Sequence, residues 1–389
     1  MRLRMLNEIL ETLIFYLVFW IGAYLVGKIF KTHRKGLTVK PFYLNYKTTG
    51  ANNFLRRISK RGKKLWLVAW NIGAAIAFGQ MAFITYTLVK NIYFLTSKVE
   101  SASQVFLLLP GLTVSWSNLP YLLVSLAILL ITHEFAHGIA SLVEGVPLKS
   151  AGVFILAFLP GGFVEVDEET LKRTKAASRL RVFSAGSTAN LAVGLMFLIL
   201  IVNFGASISP FYSPSSSGVL ITGLVKGGAA EKVGLTRWDA ILALNDVPIR
   251  DVEALTRYMN SVSPNSVIKV TTLRGEFYLV TQPHKLNKTK ALIGIYPFDY
   301  HAPKFSFLPN HLPYHLFVLE NWAYTILISV ALINMLPIYP LDGGKILETL
   351  LNKIVKRVKE LQIAISLIFA SILGLNLVLS SLIFGIIRL

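Results

Sequence analysis

His133-Glu134-Phe135-Ala136-His137-Gly138 ends an apolar run that extends from Tyr121 to Thr132. Residues four apart lie on one face of a helix, so His133 and His137 can bind one metal ion together. Glu134 lies beside that face, where a carboxylate can act as a general base. A helix that faces lipid should exclude all three residues. The pattern therefore predicts a zinc site in an apolar helix, and the alternative is a packed polar network.

The composition is that of a membrane protein. Hydrophobic residues make up 54% of the chain and charged residues only 15%. Cysteine is absent, which excludes disulfides and thiolate metal sites. We therefore expect an integral, multi-pass protein of the cell membrane.

The net charge of +19 is unevenly distributed. No acidic residue lies between Glu11 and Glu100, and basic residues cluster between Lys31 and Lys64. We expect this segment to be a loop between apolar spans, which stays on the cytoplasmic side and can contact anionic lipid. It contains no recognisable nucleic-acid module, so we expect the lipid bilayer and no nucleic acid as a partner.

About 20 apolar helical residues cross a bilayer. Six stretches approach or exceed this length: Ile9 to Phe30, Leu65 to Val89, Leu119 to Val143, Val182 to Phe204, Leu316 to Leu336 and Leu361 to Ile387. We expect the first to be a retained anchor rather than a signal peptide. The positive-inside rule then places both termini outside and His133 toward the cytoplasmic end of its span.

Gly152 to Val166 follows the histidine span. Two short segments rich in β-formers flank Pro160-Gly161-Gly162, which predicts a hairpin broken at that tripeptide. A hairpin at membrane depth must line a cavity or be covered by protein. The alternative is an ordinary interfacial loop.

Residues 210–297 carry charges of both signs and no stretch long enough to span, so they should form a water-exposed domain. The sequence predicts strands at Gly218–Val225, Ala240–Leu244, Val267–Leu273 and Phe277–Thr281, and helices at Ala229–Val233 and Val252–Ser261, the second capped by Asp251.

The order of these elements resembles a PDZ domain of the bacterial and archaeal type. The matching residues are Ala229-Ala230, Gly234-Leu235, Asp239, Ile241-Leu242 and Asn245-Asp246. Trp238 departs from the pattern, which usually has glycine there. The resemblance implies binding of extended peptide ends. Ile293-Gly294-Ile295 would then be either the loop that receives a carboxylate or a plain strand end.

A catalytic zinc usually has three protein ligands. The stretch from Asn334 to Gly344 (Asn-Met-Leu-Pro-Ile-Tyr-Pro-Leu-Asp-Gly-Gly) supplies a candidate, Asp342, beyond two helix-breaking prolines. An aspartate at this depth is costly unless it is paired or metal-bound. The positive-inside rule brings it to the same membrane side as the histidines; the alternative is an interfacial aspartate that starts a helix.

Together these motifs resemble the site-2 protease family of intramembrane zinc metalloproteases, over about Leu119 to Leu350. Further matches are Gly186-Ser187-Thr188-Ala189-Asn190 with Gly194, and Gly161 to Glu165. The resemblance implies that one Zn²⁺ is bound by His133, His137 and Asp342. It makes Glu134 the general base. Asn190 and Asn334 would hold the substrate backbone or the oxyanion, or else join helices by hydrogen bonds.

The predicted fold class is a multi-span α-helical membrane protein of about six transmembrane helices, with a membrane-associated β-hairpin and an inserted α+β PDZ-like domain. The expected segments are 1–118 with two spans and the basic loop, 119–209 with the histidine helix, hairpin and next span, 210–300 as the PDZ-like domain, and 301–389 with Asp342 and the last span.

The expected function is cleavage of transmembrane segments in other membrane proteins, with the substrate's peptide end as an additional partner of the PDZ-like domain. Three alternatives stay open. One is a zinc protease facing the cytosol with a glutamate as third ligand. Another is a non-catalytic scaffold that binds peptide ends. The third, a transporter, is disfavoured because ionisable residues within the spans are few.

Overall fold

The computed structural model describes residues 2–29, 36–97, 99, 101–157, 159–284 and 287–385. The helices of these residues are α1 (Arg2–Ile29), α2 (Gly50–Lys60), α3 (Lys63–Thr96), α4 (Leu119–Val143), α5 (Glu168–Arg173), α6 (Ala176–Val202), α7 (Phe204–Ile208), α8 (Ala229–Lys232), α9 (Val252–Ser261), α10 (Leu312–Ile333), α11 (Asp342–Leu351) and α12 (Val358–Phe384). The strands are β1 (Leu37–Lys40), β2 (Tyr43–Thr48), β3 (Leu148–Leu156), β4 (Leu159–Val166), β5 (Gly218–Leu224), β6 (Ala240–Leu244), β7 (Val247–Pro248), β8 (Val267–Thr272), β9 (Gly275–Val280), β10 (Gln282–Pro283), β11 (Ala291–Leu292) and β12 (Ile295–Tyr300).

Five of the described helices are long and apolar enough to cross a membrane, namely α3, α4, α6, α10 and α12. Each overlaps a predicted span, and α4 has the predicted bounds. The first predicted span differs, because its described apolar part covers only Tyr16–Ile29. The predicted ends Phe30 and Ile387 lie outside the described residues. A count of six spans therefore stays a prediction.

The predicted hairpin from Gly152 to Val166 is confirmed, since β3 and β4 pair antiparallel. Its turn lies at Ala157, which has a left-handed backbone (φ 53°). The predicted break at Pro160-Gly161-Gly162 was wrong, because these residues lie within β4. In the described part of the chain β4 ends a sheet of order β1-β2-β3-β4, and an edge strand tolerates a proline that has no N–H to donate.

The first two strands of this sheet come from the basic segment, for which the sequence predicts only a loop. β2 pairs with β3 along its whole length, and Lys47 on β2 reaches Glu165 on β4 at 2.5 Å. The following helix, α2, buries Leu55 in a cluster with Ala136 and Ile139 of α4. The basic segment is therefore packed against the helix that carries the histidines.

The chain divides into two compact units. The split unit comprises residues 1–196 and 322–389, and the inserted unit comprises residues 197–321. The inserted unit contains the predicted 210–300 domain and extends beyond it at both ends.

Two buried asparagines join α3 to α12 in the split unit. The Asn91 side chain donates to Asn376 Oδ1 at 2.9 Å, and the Asn376 side chain donates to the Leu88 carbonyl at 3.1 Å. Both side-chain amides are buried, and amide hydrogen bonds of this kind hold helices together in lipid. The second predicted span is therefore part of the packed unit.

The inserted unit is built on an antiparallel sheet. Its described strands follow the order β12-β5-β6-β8-β9, with β7 paired to β6. The helices and strands predicted between Gly218 and Thr281 are confirmed, and their ends differ from the predicted ones by at most two residues. Asp251 caps α9 as predicted, accepting a hydrogen bond from the Ala254 amide at 2.6 Å. The buried core includes Val219, Ile221, Ile241, Leu244, Ile268 and Leu279.

Trp238, the residue that departs from the PDZ pattern, has a left-handed backbone with φ 78°. A residue with a Cβ adopts this conformation at a cost of about 1–2 kcal/mol. Its ring stacks on His311 at 4.9 Å and packs against Tyr314 at 5.5 Å, and the Arg237 guanidinium lies 4.1 Å from the ring centre. These contacts offset the backbone cost, because aromatic and cation–π pairs each contribute about 1 kcal/mol.

A charged pair joins the end of α4 to α6. Arg181 Nε and Nη2 donate to the two carboxylate oxygens of Glu144 at 2.6 and 2.9 Å. Both side chains are largely buried. Burial raises the pKa of Glu144, but the hydrogen bonds from Arg181 and Ser178 outweigh it, and the net pKa is lowered. The ionised pair therefore holds these two helices together at the end of α4, beyond the histidines.

We expect Glu144→Gln to lower the free energy of unfolding by about 2 kcal/mol, because the guanidinium loses its charged acceptor. Since the folded pKa lies below the unfolded value of about 4.3, this stabilisation is complete above that pH and is lost as the pH falls further. Thermal unfolding in detergent at neutral and acidic pH measures both effects. A variant with the same stability and the same acid sensitivity as the wild type would contradict this assignment.

Candidate active site

His133, His137 and Asp342 point one ligand atom each at a common centre. The two imidazole Nε2 atoms are 3.1 Å apart, and they lie 3.2 and 3.1 Å from Asp342 Oδ2. A tetrahedral ion with bonds of 2.0–2.1 Å holds its ligands about 3.3 Å apart. The donor set, two imidazoles and one carboxylate, is also one that such an ion accepts with a fourth position open. The three residues therefore fit a tetrahedral metal ion.

The histidines owe their convergence to the helix. They lie one turn apart on α4, and their ring planes meet nearly at right angles with centroids 4.7 Å apart. His133 is 8% exposed and Asp342 is 4% exposed. Burying a carboxylate without partners costs free energy. The two imidazole rings that face Asp342 are the partners that make its burial possible.

Gly186 on α6 makes room for both rings. A Cβ at this position would lie 2.4 Å from His137 Nε2 and 2.6 Å from His133 Cε1, so any side chain would collide with the ligands. One turn earlier on α6, the Val182 carbonyl lies 2.7 Å from His137 Nδ1. It accepts the Nδ1–H and thereby leaves Nε2 with a free lone pair.

Asn190, one turn beyond Gly186, is fully buried against the other histidine. Its side-chain nitrogen lies 3.1 Å from His133 Nδ1. Its side-chain oxygen accepts from the Thr132 hydroxyl at 2.7 Å. The structure thus brings Asn190 to a candidate ligand, whereas the sequence left open a contact with substrate or a hydrogen bond between helices.

Asp342 is positioned by the turn that follows α10. The Gly343 amide donates to the Asn334 carbonyl at 2.8 Å, which closes the loop through the two prolines. A Cβ on Gly343 would lie 2.2 Å from the Met335 carbonyl oxygen, so only glycine allows this close approach. Asp342 is the first residue of α11, where the helix dipole favours a carboxylate. Lys345 Nζ lies 3.5 Å from Asp342 Oδ1, whereas the histidines contact the other carboxylate oxygen, Oδ2.

Asn334 differs from Asn190. Its side chain is half-buried and forms no hydrogen bond with another residue in the described part of the chain. The amide group is therefore available for a contact with substrate, which stays a prediction.

Glu134 lies next to the ligand face and is held by the hairpin. Its Oε2 accepts a hydrogen bond from the Val164 amide at 2.9 Å. Gly162 on the same strand approaches it closely, because a Cβ there would lie 3.0 Å from Glu134 Cγ. Among the described residues, Oε1 has no partner. One carboxylate oxygen is therefore fixed and the other is available as a base.

Sequence reasoning missed three residues of this site: Thr132, Val182 and Lys345. Thr132 directly precedes the first histidine, and Val182 lies four residues before Gly186. The spacing of four that links Val182, Gly186 and Asn190 matches the spacing of the histidines. That correspondence is the signal in the sequence that could have revealed Val182.

The chain is similar to known proteases in sequence. The sequence model of peptidase family M50 matches residues 121–375. A membrane-bound transcription factor site-2 protease homolog of Arabidopsis thaliana is 29% identical over 178 residues, which is 45% of this chain and 34% of that protein. An uncharacterized protein of Methanocaldococcus jannaschii is 27% identical over 295 residues, 74% of this chain and 73% of that protein.

The match spans about a third of the plant relative's length and about three quarters of the archaeal one. The family model covers more than half of the chain and includes all three candidate ligands and Glu134. Together with the five apolar helices, this makes the chain an integral membrane protein of a metallopeptidase family. The chain belongs to peptidase family M50, the site-2 protease family.

Proposed function

We propose that the chain is a zinc-dependent intramembrane endopeptidase that cleaves transmembrane segments of other membrane proteins. The observation that carries the proposal is the convergence of His133, His137 and Asp342, with Glu134 beside them, on elements of an apolar helical unit. Two histidines and a carboxylate with one open position are a common ligand set of catalytic zinc.

The residues around the candidate metal site can carry out the hydrolysis of a peptide bond. When bound, zinc polarises the scissile carbonyl and makes water more acidic. Glu134, with Oε2 held by Val164, takes a proton from the attacking water through Oε1. The water oxygen bonds to the carbonyl carbon, the C–N bond breaks, and the same carboxylate returns the proton to the leaving amine.

The substrate must be extended where it is cut, because a helix hides its carbonyls in its own hydrogen bonds. β4 offers an edge for this purpose. Since the Val164 amide donates to Glu134, it points away from β3. Antiparallel pairing alternates every second residue, and the register runs without a bulge from Ala151↔Val164 to Ile155↔Pro160. The Gly162 amide and carbonyl therefore face the same free side, where an added strand would pass Glu134.

We expect Glu134→Gln to lower the cleavage rate of a single-span substrate in proteoliposomes at least about 100-fold while zinc stays bound, because the base is lost. Asp342→Ala should lose zinc as well as activity, and a chelator should inactivate the wild type. Mass spectrometry of the new ends and zinc analysis of the protein measure these outcomes.

Glu169→Gln, which removes an exposed carboxylate on α5, is the matched control and should cleave like the wild type. Zinc retention by Asp342→Ala would instead favour another third ligand. Full biological function with Glu134→Gln would favour a scaffold.

The edge of β4 can be tested with two substitutions at one position. Gly162→Pro and Gly162→Ala introduce the same Cβ next to Glu134, but only proline removes the N–H. We expect Gly162→Pro to cleave a helical substrate at least about tenfold more slowly than Gly162→Ala, with equal zinc content. Equal rates for the two variants would contradict strand addition at β4.

The inserted unit supports a second substrate contact, of the PDZ-like kind. β12 lies at one end of its sheet, and Asp299 on β12 accepts from the Val252 amide at the start of α9. Gly294, with φ 81°, precedes β12 and packs on Gly228. An edge strand beside a helix, entered from a glycine turn, is the arrangement that takes an extended peptide end.

We therefore expect the full chain to bind an apolar peptide with a free C-terminal carboxylate at least about tenfold more tightly than the same peptide with a C-terminal amide. The carboxylate needs N–H donors that an amide cannot use in the same way. Fluorescence anisotropy with labelled peptides measures the two affinities. Equal affinities, or no binding of either peptide, would rule out this partner.

A further inference from the structure

One ridge of α6 faces both candidate histidine ligands. Val182, Gly186 and Asn190 follow one another at intervals of four residues. His137 meets the Val182 carbonyl, both rings lie over Gly186, and His133 meets Asn190. The two helices therefore run antiparallel past each other, and each histidine has its own partner at Nδ1.

A neutral imidazole carries one proton. If Nε2 binds a metal ion, Nδ1 carries the proton and requires an acceptor. His137 has such an acceptor in the Val182 carbonyl. His133 faces the Asn190 side-chain nitrogen, which is a donor. That arrangement places the proton of His133 on Nε2, the atom that points at the other ligands.

The orientation of the Asn190 amide decides which nitrogen of His133 carries the proton. Its oxygen and nitrogen are nearly equal in size, so a half-turn of the amide exchanges them in the same space. The oxygen then accepts from His133 Nδ1–H, and the nitrogen donates to the Thr132 oxygen. The Thr132 hydroxyl in turn donates to the Ile128 carbonyl, which lies 2.9 Å away. Each of these groups then has a partner.

We infer that Asn190 is a positioning residue for His133 and that its amide takes this turned orientation when the metal ion is bound, with Thr132 completing the chain of hydrogen bonds. The inference rests on the proposed zinc site. It assigns Asn190 to the ligand rather than to the substrate, because the side chain is fully buried and both of its polar atoms face Thr132 and His133.

The decisive test compares Asn190→Asp with Asn190→Leu. Aspartate accepts but does not donate, and leucine does neither. If the side chain accepts from His133 Nδ1–H, we expect aspartate to keep or increase the zinc affinity and leucine to lower it about 10- to 100-fold. Competition between the detergent-solubilised full chain and a chromogenic chelator measures the affinity without any substrate.

Two further variants sharpen the test. Thr132→Val removes the hydroxyl that holds the amide and should lower the zinc affinity less than Asn190→Leu. Thr188→Val is the control. Thr188 lies on α6, like Asn190, but its hydroxyl contacts the Gly73 and Ser184 carbonyls. This variant should bind zinc like the wild type.

The inference is overturned if Asn190→Asp loses as much zinc affinity as Asn190→Leu, since the amide would then act as a donor. It is also overturned if both variants bind zinc like the wild type, as expected of a substrate contact or a simple link between helices. A wild-type chain that binds no zinc would refute the proposed function itself, which separates the two failures.

Discussion

The approach of α6 to the two imidazole rings is the contact on which the candidate site depends. With only a hydrogen atom at Gly186, the backbone of α6 lies directly against the ligands. That closeness lets the Val182 carbonyl reach His137 and the Asn190 side chain reach His133. The Arg181–Glu144 pair holds the same two helices together just beyond the site. A larger side chain at Gly186 would separate all of these partners at once.

The position of the third candidate ligand also depends on a close backbone contact. Asp342 reaches the histidines because Gly343 lies against the Met335 carbonyl and donates to Asn334. The prolines break α10 and the glycines allow the chain to fold back onto it. Two close backbone contacts, at Gly186 and at Gly343, therefore define the positions of the three candidate ligands.

Much of the fold and of the candidate site could be predicted wherever a local sequence pattern dictates the structure. The spacing of His133 and His137 gave their common face, and turn residues gave the strands and helices of the inserted unit. Asp342 required two long-range arguments, from membrane sidedness and from the cost of a buried charge.

β1 and β2 were missed because basic side chains obscured a short β-forming pattern around Tyr43 to Thr48. The turn of the hairpin was misplaced because a proline at a free edge looks like a break. Thr132 and Val182 were missed because one acts through a hydroxyl inside an apolar run and the other through its backbone alone.

The candidate ligands are far apart in the order of synthesis, since 205 residues separate His137 from Asp342. A ribosome adds about 5–20 residues per second, so Asp342 emerges about 10–40 s after the histidines. During that interval the two histidines and Glu134 are already present, but the centre lacks its carboxylate. Because the inserted unit is synthesised between the candidate ligands, the candidate site can be completed only after that unit has been made.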